Sequence, residues 1–445
     1  MKLTAKQLNQ IGVAFVLEGL APDSPYGIEL RRTLAPDASE YDLLQLGKMM
    51  AAIESEPERF DAIRRALMLQ REIRGSIKNV EQGTASDVDF FELKRFLLQL
   101  NTLAPLTSEY GVTPLPAALK ILDPNDTAVA TFSIESSRSW ELEQIRNKKA
   151  TASMDERAEI AAMEEREQRR IRAEICNELR EHTDAIYCNY ITLGRLDFLM
   201  AKARLALQTG AIVPQIGGDR IVLEGMTNPK VRATVEKHGG EFCPITIELD
   251  RGSTVITGAN MGGKTVVLHT LAMNVYLAHC GLAVYAKKAI IPKINEIFLI
   301  HEQGEHGQGL SDFGMEMVQC KRALETAQRK GECLLLFDEL ARGTNPFEGA
   351  AIARATVRYC NELLSYALFA THFDDVAKES RAHYQIAGLK KSVSEVLGAD
   401  EVWAHMDYTL KPSNGDDSIP HDAMTICRLI GLPDELIGQI EEQYR

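Results

Sequence analysis

The sequence predicts an all-α part with long helices, followed by an α/β part built on a mostly parallel sheet with flanking helices. Two observations support this division. Up to about residue 210, apolar residues recur mainly at three- and four-residue spacing, as on one face of a helix. Beyond that point, short β-branched or apolar runs such as 253–257 and 334–337 alternate with helical stretches. We therefore expect the sheet to lie in the second half of the chain.

The composition is that of an ordinary globular protein. The chain has 445 residues, of which 45% are apolar and 25% charged, and this length suits about three domains. We predict domains at 1–125, 126–210 and 211–445. The formal net charge of −13 argues against a protein that coats itself in nucleic acid, although the total does not exclude one local basic face.

The cysteines and the apolar runs indicate a cytoplasmic protein with no membrane partner. The eight cysteines lie far apart, without a Cys-x-x-Cys pair or a nearby histidine at metal-ligand spacing. Such spacing is typical of reduced thiols. No apolar run approaches the roughly 20 residues that a membrane span needs. The run 11–17 faintly resembles part of a signal peptide, but Glu18 follows at once, which favours a short buried helix.

The first 125 residues are expected to form a helical core. Amphipathic patterns predict helices at 41–53, 59–73 and 88–100. Ser86 or Asp87 can cap the third helix, because a short polar side chain accepts hydrogen bonds from the N–H groups of the first turn. This region contains no recognisable pattern of catalytic residues.

Residues 126–210 are expected to form a lever of long helices, after a possible strand at 127–134. Between residues 140 and 180 both signs of charge are dense and apolar positions are sparse, which is typical of exposed, partly coiled-coil helices. A turn is expected near Met154 or Asp155. The arginines here could grip DNA or simply be solvated. The acids match or outnumber the bases, which favours a solvated surface.

A phosphate-binding loop is predicted between a β-branched strand and an apolar helix. The segment fits the P-loop, or Walker A, pattern G-x-x-x-x-G-K-[ST]. Backbone N–H groups of such a turn close on phosphate oxygens, while Lys264 adds a positive charge and Thr265 a magnesium ligand. The residues of the loop are Gly258, Ala259, Asn260, Met261, Gly262, Gly263, Lys264 and Thr265.

Two acids follow a second apolar strand, about seventy residues beyond the loop. A phosphate-loop ATPase needs such a pair. We expect Asp338 to hold the magnesium shell and Glu339 to polarise the attacking water as a general base. The two motifs stand in the right order, with enough chain between them for a parallel crossover. Together they predict hydrolysis of ATP with Mg2+ as the metal cofactor.

The motifs together resemble the MutS family of DNA mismatch-repair ATPases. The residues that carry the resemblance are Thr257 to Thr265, Ser311-Asp312-Phe313 with Glu316-Met317, Phe337-Asp338-Glu339 with Arg342-Gly343-Thr344, and Ala370-Thr371-His372-Phe373. The resemblance is specific over about residues 240–440. It is weaker upstream, where Ser24-Pro25-Tyr26-Gly27 resembles the start of the family's core domain.

The resemblance implies an ABC-type P-loop ATPase domain after an all-α core and lever. It further implies a dimer, made of two identical or two similar subunits, with two nucleotides between them. Ser311 would reach the partner's γ-phosphate, and His372 would sense the γ-phosphate of its own subunit. Phe242 stands where the family has an adenine-stacking aromatic residue.

Several departures from the family pattern bear on function. The family's mismatch-recognition and connector domains are expected to be absent, since the core resemblance begins near residue 1. Within the motifs, Ala259 replaces proline, Asp312 replaces threonine, Gly314 replaces methionine and Ala341 replaces glycine. Asp312 would put a negative charge near the partner's phosphate unless it faces away. Mismatch reading is therefore less well supported than the ATPase.

Two hypotheses for the target follow. By family resemblance, ATP binding and hydrolysis would move the lever in a DNA-binding, mismatch-repair-related role, on branched or mismatched duplexes. Alternatively, the engine would remodel a protein client, since short MutS-like proteins of this layout resemble proposed reactivases of cobalamin-dependent aminomutases. The acidic total and the balanced charges of the lever favour the second hypothesis more than the family name suggests.

Overall fold

The computed structural model describes residues 1, 3–258, 263–301, 312–389, 406–413, 424, 427–428 and 431–443. The chain divides into two compact units. The first, which we call the α/β unit, contains 1–20, 35–47 and 205–445, and the second, the helical unit, contains 21–34 and 48–204. The chain therefore passes between the units more than once. The three domain boundaries expected from the sequence remain predictions.

Helices fill the chain before the first strand. They are α1 (Ala5–Ile11), α2 (Val13–Glu18), α3 (Pro25–Arg32), α4 (Glu40–Ser55), α5 (Pro57–Leu67), α6 (Arg74–Gln82), α7 (Asp87–Thr107), α8 (Pro116–Leu122), α9 (Trp140–Thr151), α10 (Arg157–Arg180) and α11 (Thr183–Thr209). The helix expected at 88–100 is α7, and Ser86 caps it in a reciprocal capping box with Asp89. The helix expected at 59–73 is shorter, because α5 ends at Leu67 and the next two residues, Met68 and Leu69, are exposed rather than on its buried face.

The expected strand at 127–134 was wrong, since this segment is a loop. Asp123 accepts hydrogen bonds from the backbone N–H groups of Thr127 and Ala128, at 3.1 and 2.9 Å. The backbone has a positive φ at Asp126 and Ala128, 51° and 54°, which is incompatible with a regular strand. A buried ion pair from Lys94 to Asp123, 3.2 Å long, fixes the carboxylate that organises the loop.

The charged segment forms two helices, α9 and α10, with the turn at 152–156 around Met154 and Asp155 as expected. Ion pairs connect much of its surface. Arg146 and Lys149 both bind Glu164, while Arg169 binds Glu165 one turn earlier in the same helix. Because these bases already have acidic partners, the pairs favour a solvated, charge-balanced surface over a basic face.

The α/β unit contains two sheets and the remaining helices. From residue 210 onward its strands and α-helices are β1 (Gln215–Ile216), β2 (Ile221–Met226), α12 (Pro229–Lys237), β3 (Ile245–Leu249), β4 (Gly252–Thr257), α13 (Lys264–His279), β5 (Lys288–Ile291), β6 (Glu296–Ile300), α14 (Asp312–Lys330), β7 (Cys333–Asp338), α15 (Pro346–Cys360), β8 (Tyr366–Ala370), β9 (Ala382–Leu389), β10 (Met406–Pro412) and α16 (Asp434–Gln443). The smaller sheet has the order β1-β5-β2-β3 and the larger one β10-β9-β4-β8-β7-β6. Among the described strand pairs of the larger sheet, β9–β10 is antiparallel and the other four are parallel.

Helices cover both faces of the larger sheet. The rings of Phe337 and Phe369 stack 4.2 Å apart in a buried cluster with residues of α14 and α15. This cluster takes alternate positions of β7 and β8, which point to one face of the sheet. The buried helix α13 packs across the same strands without joining the cluster, so it covers the other face. The larger sheet is therefore covered by helices on both faces.

Candidate nucleotide-binding site

Three neighbouring parallel strands bring the predicted site residues to one edge of the larger sheet. In register, Ile256 of β4 pairs with Ala370 of β8, which pairs with Asp338 of β7. The phosphate loop follows β4, Glu339 follows β7 and His372 follows β8. Loops at the carboxyl ends of parallel strands are where open α/β sheets bind ligands.

The start and the end of the phosphate loop require glycine. Gly258 has a φ of 147°, and a Cβ there would lie 3.1 Å from the Cβ of Ile386. Gly263 has a φ of 87°, and a Cβ there would lie 3.2 Å from the ring of Tyr408 in β10. Side chains larger than hydrogen would strain both positions. Of the predicted site residues, Ala259, Asn260, Met261, Gly262 and Ser311 lie outside the described residues.

Lys264 is held at the beginning of α13. Its side chain is only 5% exposed, and its Nζ donates a hydrogen bond to the carbonyl oxygen of Gly258 at 2.7 Å. Its Nζ also lies 3.6 Å from Oε1 of Glu339. Burial lowers the pKa of Lys264, and the charge of Glu339 opposes that shift. The ammonium group and the N-terminal end of α13 together form a positive site suited to phosphate.

Thr265 and Asp338 form a candidate magnesium site. The Thr265 hydroxyl donates to Oδ2 of Asp338 at 2.8 Å. Burial raises the pKa of Asp338, while the hydrogen bond from Thr265 lowers it in part. Among the described residues no cluster of three or more His, Cys, Asp or Glu side chains is placed to hold a metal. Magnesium in nucleotide sites takes one or two protein oxygens together with phosphates, so this hydroxyl and carboxylate fit the ion.

Glu339 stands in a conformation that the turn imposes. Its φ is 57°, in the left-handed region, and its N–H donates to the carbonyl oxygen of Ala370 at 2.9 Å. The carboxylate is met by His372 Nδ1 at 3.0 Å and by Arg342 at 3.5 Å, in addition to Lys264. A non-glycine residue in this region costs about 1–2 kcal/mol, so surrounding contacts must hold it.

The environment keeps the Glu339 carboxylate ionised. Burial raises the pKa of Glu339, but the hydrogen bond from His372 and the charges of Lys264, His372 and Arg342 outweigh burial, so the pKa lies below its ordinary value. A carboxylate only accepts hydrogen bonds, and Nδ1 of His372 is therefore the donor. The sequence predicted both residues but not that they bind each other.

The sequence did not predict what positions the turn after the acids. Glu316 of α14 is 2% exposed, and its Oε2 accepts a hydrogen bond from the N–H of Ala341 at 3.1 Å. Ala341 has a φ of 64°, a conformation that favours glycine, and Gly349 lies so close that a Cβ there would be 2.6 Å from the Ala341 carbonyl oxygen. The sequence clue to this role was Glu316 itself, an acidic residue at a buried position of the amphipathic helix α14.

Two further residues singled out in the sequence are Asp312 and Phe242. Asp312, the first residue of α14, is exposed, where a negative charge suits a helix N-terminus. Phe242 is half-buried in the segment before β3. The thiol of its neighbour Cys243 lies 3.9 Å from Oγ1 of Thr409, which follows Tyr408 in β10. The residue that follows Phe242 therefore contacts β10.

Comparison with known proteins identifies relatives of this domain. Residues 254–445 match the family model described as MutS domain V. The DNA mismatch repair protein MutS of Aquifex pyrophilus is 29% identical over 279 residues, which is 62% of this chain and 31% of that protein. The protein of the same name from Leuconostoc mesenteroides is 30% identical over 251 residues, or 55% and 28% of the two chains. That from Haloquadratum walsbyi is 35% identical over 209 residues, or 46% and 21%.

The extent of these matches is limited. The matched region spans about a third or less of the length of these curated relatives. The family-model match, residues 254–445, includes the phosphate loop, both acids and His372. Within the described residues no helix is long and apolar enough to cross a membrane.

Proposed function

Because the chain belongs to the MutS family, we propose that it is a Mg2+-dependent ATPase whose site is the carboxyl edge of β4, β8 and β7. One observation carries this proposal. Lys264, the Thr265–Asp338 pair and the Glu339–His372 pair converge on that edge, although they come from distant parts of the sequence. A cation, a metal-ligand pair and a held base are the parts that phosphoryl transfer to water requires.

The residues have distinct proposed roles. The first turn of α13 and Lys264 bind the phosphates. Bound magnesium would neutralise charge on phosphate oxygens, held by Thr265 and Asp338. Glu339 accepts the proton of the attacking water, which its lowered pKa permits because the carboxylate is ionised at neutral pH. His372 holds that carboxylate through Nδ1, and it is also the candidate sensor of the γ-phosphate. Phe242 is the proposed contact to the base.

The ABC-type arrangement and the dimer are proposals supported by the family. In this arrangement Ser311 of each subunit completes the partner's site, so that ATP closes the dimer and hydrolysis opens it. The partner would be a second copy or a similar subunit. All eight cysteines are free thiols, which supports a reducing, cytoplasmic compartment.

We further propose a DNA-binding, mismatch-repair-related role, with the lever as the moving part. The support is that the relatives are DNA mismatch repair proteins. The alternative of a protein-remodelling reactivase finds no support in these comparisons. The ion pairs on the surface of α9 and α10 favour DNA contacts outside these two helices.

Nucleotide binding is tested separately from DNA binding, by substitution of Lys264. Lys264→Ala should abolish binding of fluorescent ATP, because it removes the cation of the phosphate site. A matched exposed substitution on another helix of the unit, Lys321→Ala, should leave binding unchanged. ATP binding by Lys264→Ala equal to that of the unchanged protein would remove the site from consideration.

DNA binding is tested by gel shift on homoduplex, mismatched and branched DNA, with and without ATP. We expect a preference for mismatched or branched duplexes that ATP changes and that weakens with salt, since phosphate contacts release counterions. Equal and ATP-independent affinity for all three DNAs would contradict the repair-related role but not the ATPase.

A further inference from the structure

Within the described residues, no further strand pairs with the outer edge of β6. This five-residue strand ends the larger sheet, and in the described part of the chain β7 is the strand that pairs with it, in parallel register from Glu296–Cys333 to Ile300–Phe337. Its sequence is Glu-Ile-Phe-Leu-Ile, with one charge and no proline. Natural proteins commonly block such edges with charged residues or proline on the strand itself. After Glu296, the remaining four residues of β6 include no charged residue and no proline.

The edge lies at the bottom of a groove. The groove has a volume of about 580 Å³ and runs along 296–301, with the segment 3–10 as one wall and α14 as the other. Helix α1 packs on α13 and α14 packs against β6 and β7, so the walls belong to opposite faces of the sheet. Walls on both sides admit one extended chain and exclude the open-ended stacking of further strands. At about 3.3 Å per residue, five paired residues of an occupant would span roughly 16 Å.

The walls carry unbalanced positive charge. Lys6, Arg322 and Arg329 line the groove, are exposed, and form no ion pair with any described residue. Lys330 also lines it and pairs with Glu296 at 2.8 Å, and Glu296 is the one acid among the described residues that line the groove. A basic groove in a chain of net charge −13 selects for negatively charged ligands.

We propose that this groove binds an acidic, extended segment of a partner protein, which adds to the larger sheet as a strand beside β6. Main-chain hydrogen bonds to the free edge give affinity, and alternate side chains meet the two walls. The occupant's carboxylates pair with Arg322 and Arg329 on one wall and Lys6 on the other. The open edge favours a polypeptide, because its alternating N–H and C=O groups match only another backbone.

The binding test is independent of the proposed ATPase, because it is performed without nucleotide. The probe is a fluorescein-labelled ten-residue peptide in which valine alternates with glutamate, titrated with the full chain and followed by anisotropy. Arg322→Glu should weaken binding by at least about threefold, since it turns one exposed attraction into a repulsion. Lys321→Glu is the matched control. Lys321 is next to Arg322 in sequence, but its side chain is 74% exposed, pairs with Glu325 and does not line the groove. It should bind like the unchanged protein.

Hydrogen exchange distinguishes strand addition from simple electrostatic docking. Saturating peptide should protect the amides of 296–300, and the same peptide N-methylated at every residue should neither bind nor protect. Three results would overturn the proposal: equal binding by the Arg322→Glu variant, equal binding of a peptide with lysine in place of glutamate, or binding without protection of β6.

Other occupants would also be revealed. If ten-residue oligothymidine binds with the same dependence on Arg322 while the peptide does not, the groove is a nucleic-acid site and the proposal is wrong. If the unchanged protein self-associates in sedimentation and the Arg322→Glu variant does not, the occupant is a second copy of the chain. That result would also overturn the proposal.

Discussion

The α9–α10 pair and the nucleotide-binding edge both concentrate charged side chains, but the two regions use charge differently. In α10, Arg169 is 74% exposed and pairs with Glu165 of the same helix. At the sheet edge, Lys264 and Glu339 are 5% and 15% exposed, and Glu339 is met by residues from three different segments. Water can replace a lost partner more readily in the first region than beside the buried Lys264 and Glu339.

The two regions differ in how much the loss of one charged side chain affects stability. An exposed pair within one helix adds little to stability, because side-chain entropy and screening offset the attraction. A buried group that loses its partner remains desolvated and unpaired, which costs far more. Burial also shifts the pKa values of Lys264 and Asp338, whereas charge in α9 and α10 keeps the chain hydrated. Substitutions of charged residues in the two regions should therefore differ by orders of magnitude in their effect on ATP turnover.

The largest effect is expected at Glu339. Glu339→Gln should keep ATP binding but lower turnover by about 10²- to 10⁴-fold, because the amide cannot accept the proton of the attacking water. Steady-state hydrolysis and fluorescent-ATP titration measure the two properties. Glu362→Gln, an exposed substitution after α15, is the control and should not alter either. Unchanged turnover in Glu339→Gln would rule out this residue as the base.

A buried pair in the helical unit should come next, in stability rather than catalysis. Asp123→Ala should lower the free energy of unfolding by about 3–5 kcal/mol, because it leaves Lys94 buried and unpaired and releases the loop that follows. Urea denaturation followed by circular dichroism measures the change. Lys120→Ala, which removes a nearby pair whose lysine is 56% exposed, should cost less than about 1 kcal/mol.

The same pair gives a pH dependence. Burial raises the pKa of Asp123, but hydrogen bonds from Thr127, Ala128 and Lys94 outweigh it and lower the pKa to about 2. Its contribution to stability is then complete above the unfolded pKa of about 4 and is lost as the pH falls towards about 2. Asp123→Ala should lack this acid-induced loss. An identical loss in the variant and the unchanged protein would assign it to other carboxylates.

Glu316 is expected to have an intermediate effect. Glu316→Ala leaves the N–H of Ala341 without its acceptor and should cost about 1–3 kcal/mol of stability. Turnover should also fall, because the turn that carries Glu339 loosens. Glu316→Gln keeps an acceptor and should restore most of both properties. Glu325→Ala, on the exposed side of the same helix, is the control. A loss of turnover with Glu316→Gln as large as with alanine would contradict this positioning role.

The sequence predicted the parts of the site better than their contacts. Strands ending at Thr257 and Asp338 follow from local apolar patterns, because each is buried on both faces and flanked by clear turn residues. The contact between Glu339 and His372 joins residues 33 positions apart, and nothing in either local sequence specifies it. Local pattern alone also failed at 127–134, where β-branched residues suggested a strand but the distant Lys94–Asp123 pair organises a loop. Contacts between distant residues are decided by tertiary packing, which overrides local preference.

The smallest effect is expected in α10, and it completes the comparison. Arg169→Ala should change the free energy of unfolding by less than about 1 kcal/mol, and a double-mutant cycle with Glu165→Ala should give a coupling of about 0.3–0.5 kcal/mol. Because Glu165 also binds Arg172, at 3.3 Å, the carboxylate keeps a partner when Arg169 is removed. Turnover should be unchanged, and high salt should abolish the coupling. A coupling above about 2 kcal/mol would show that this exposed pair behaves like the buried ones, and the contrast between the two regions would fail.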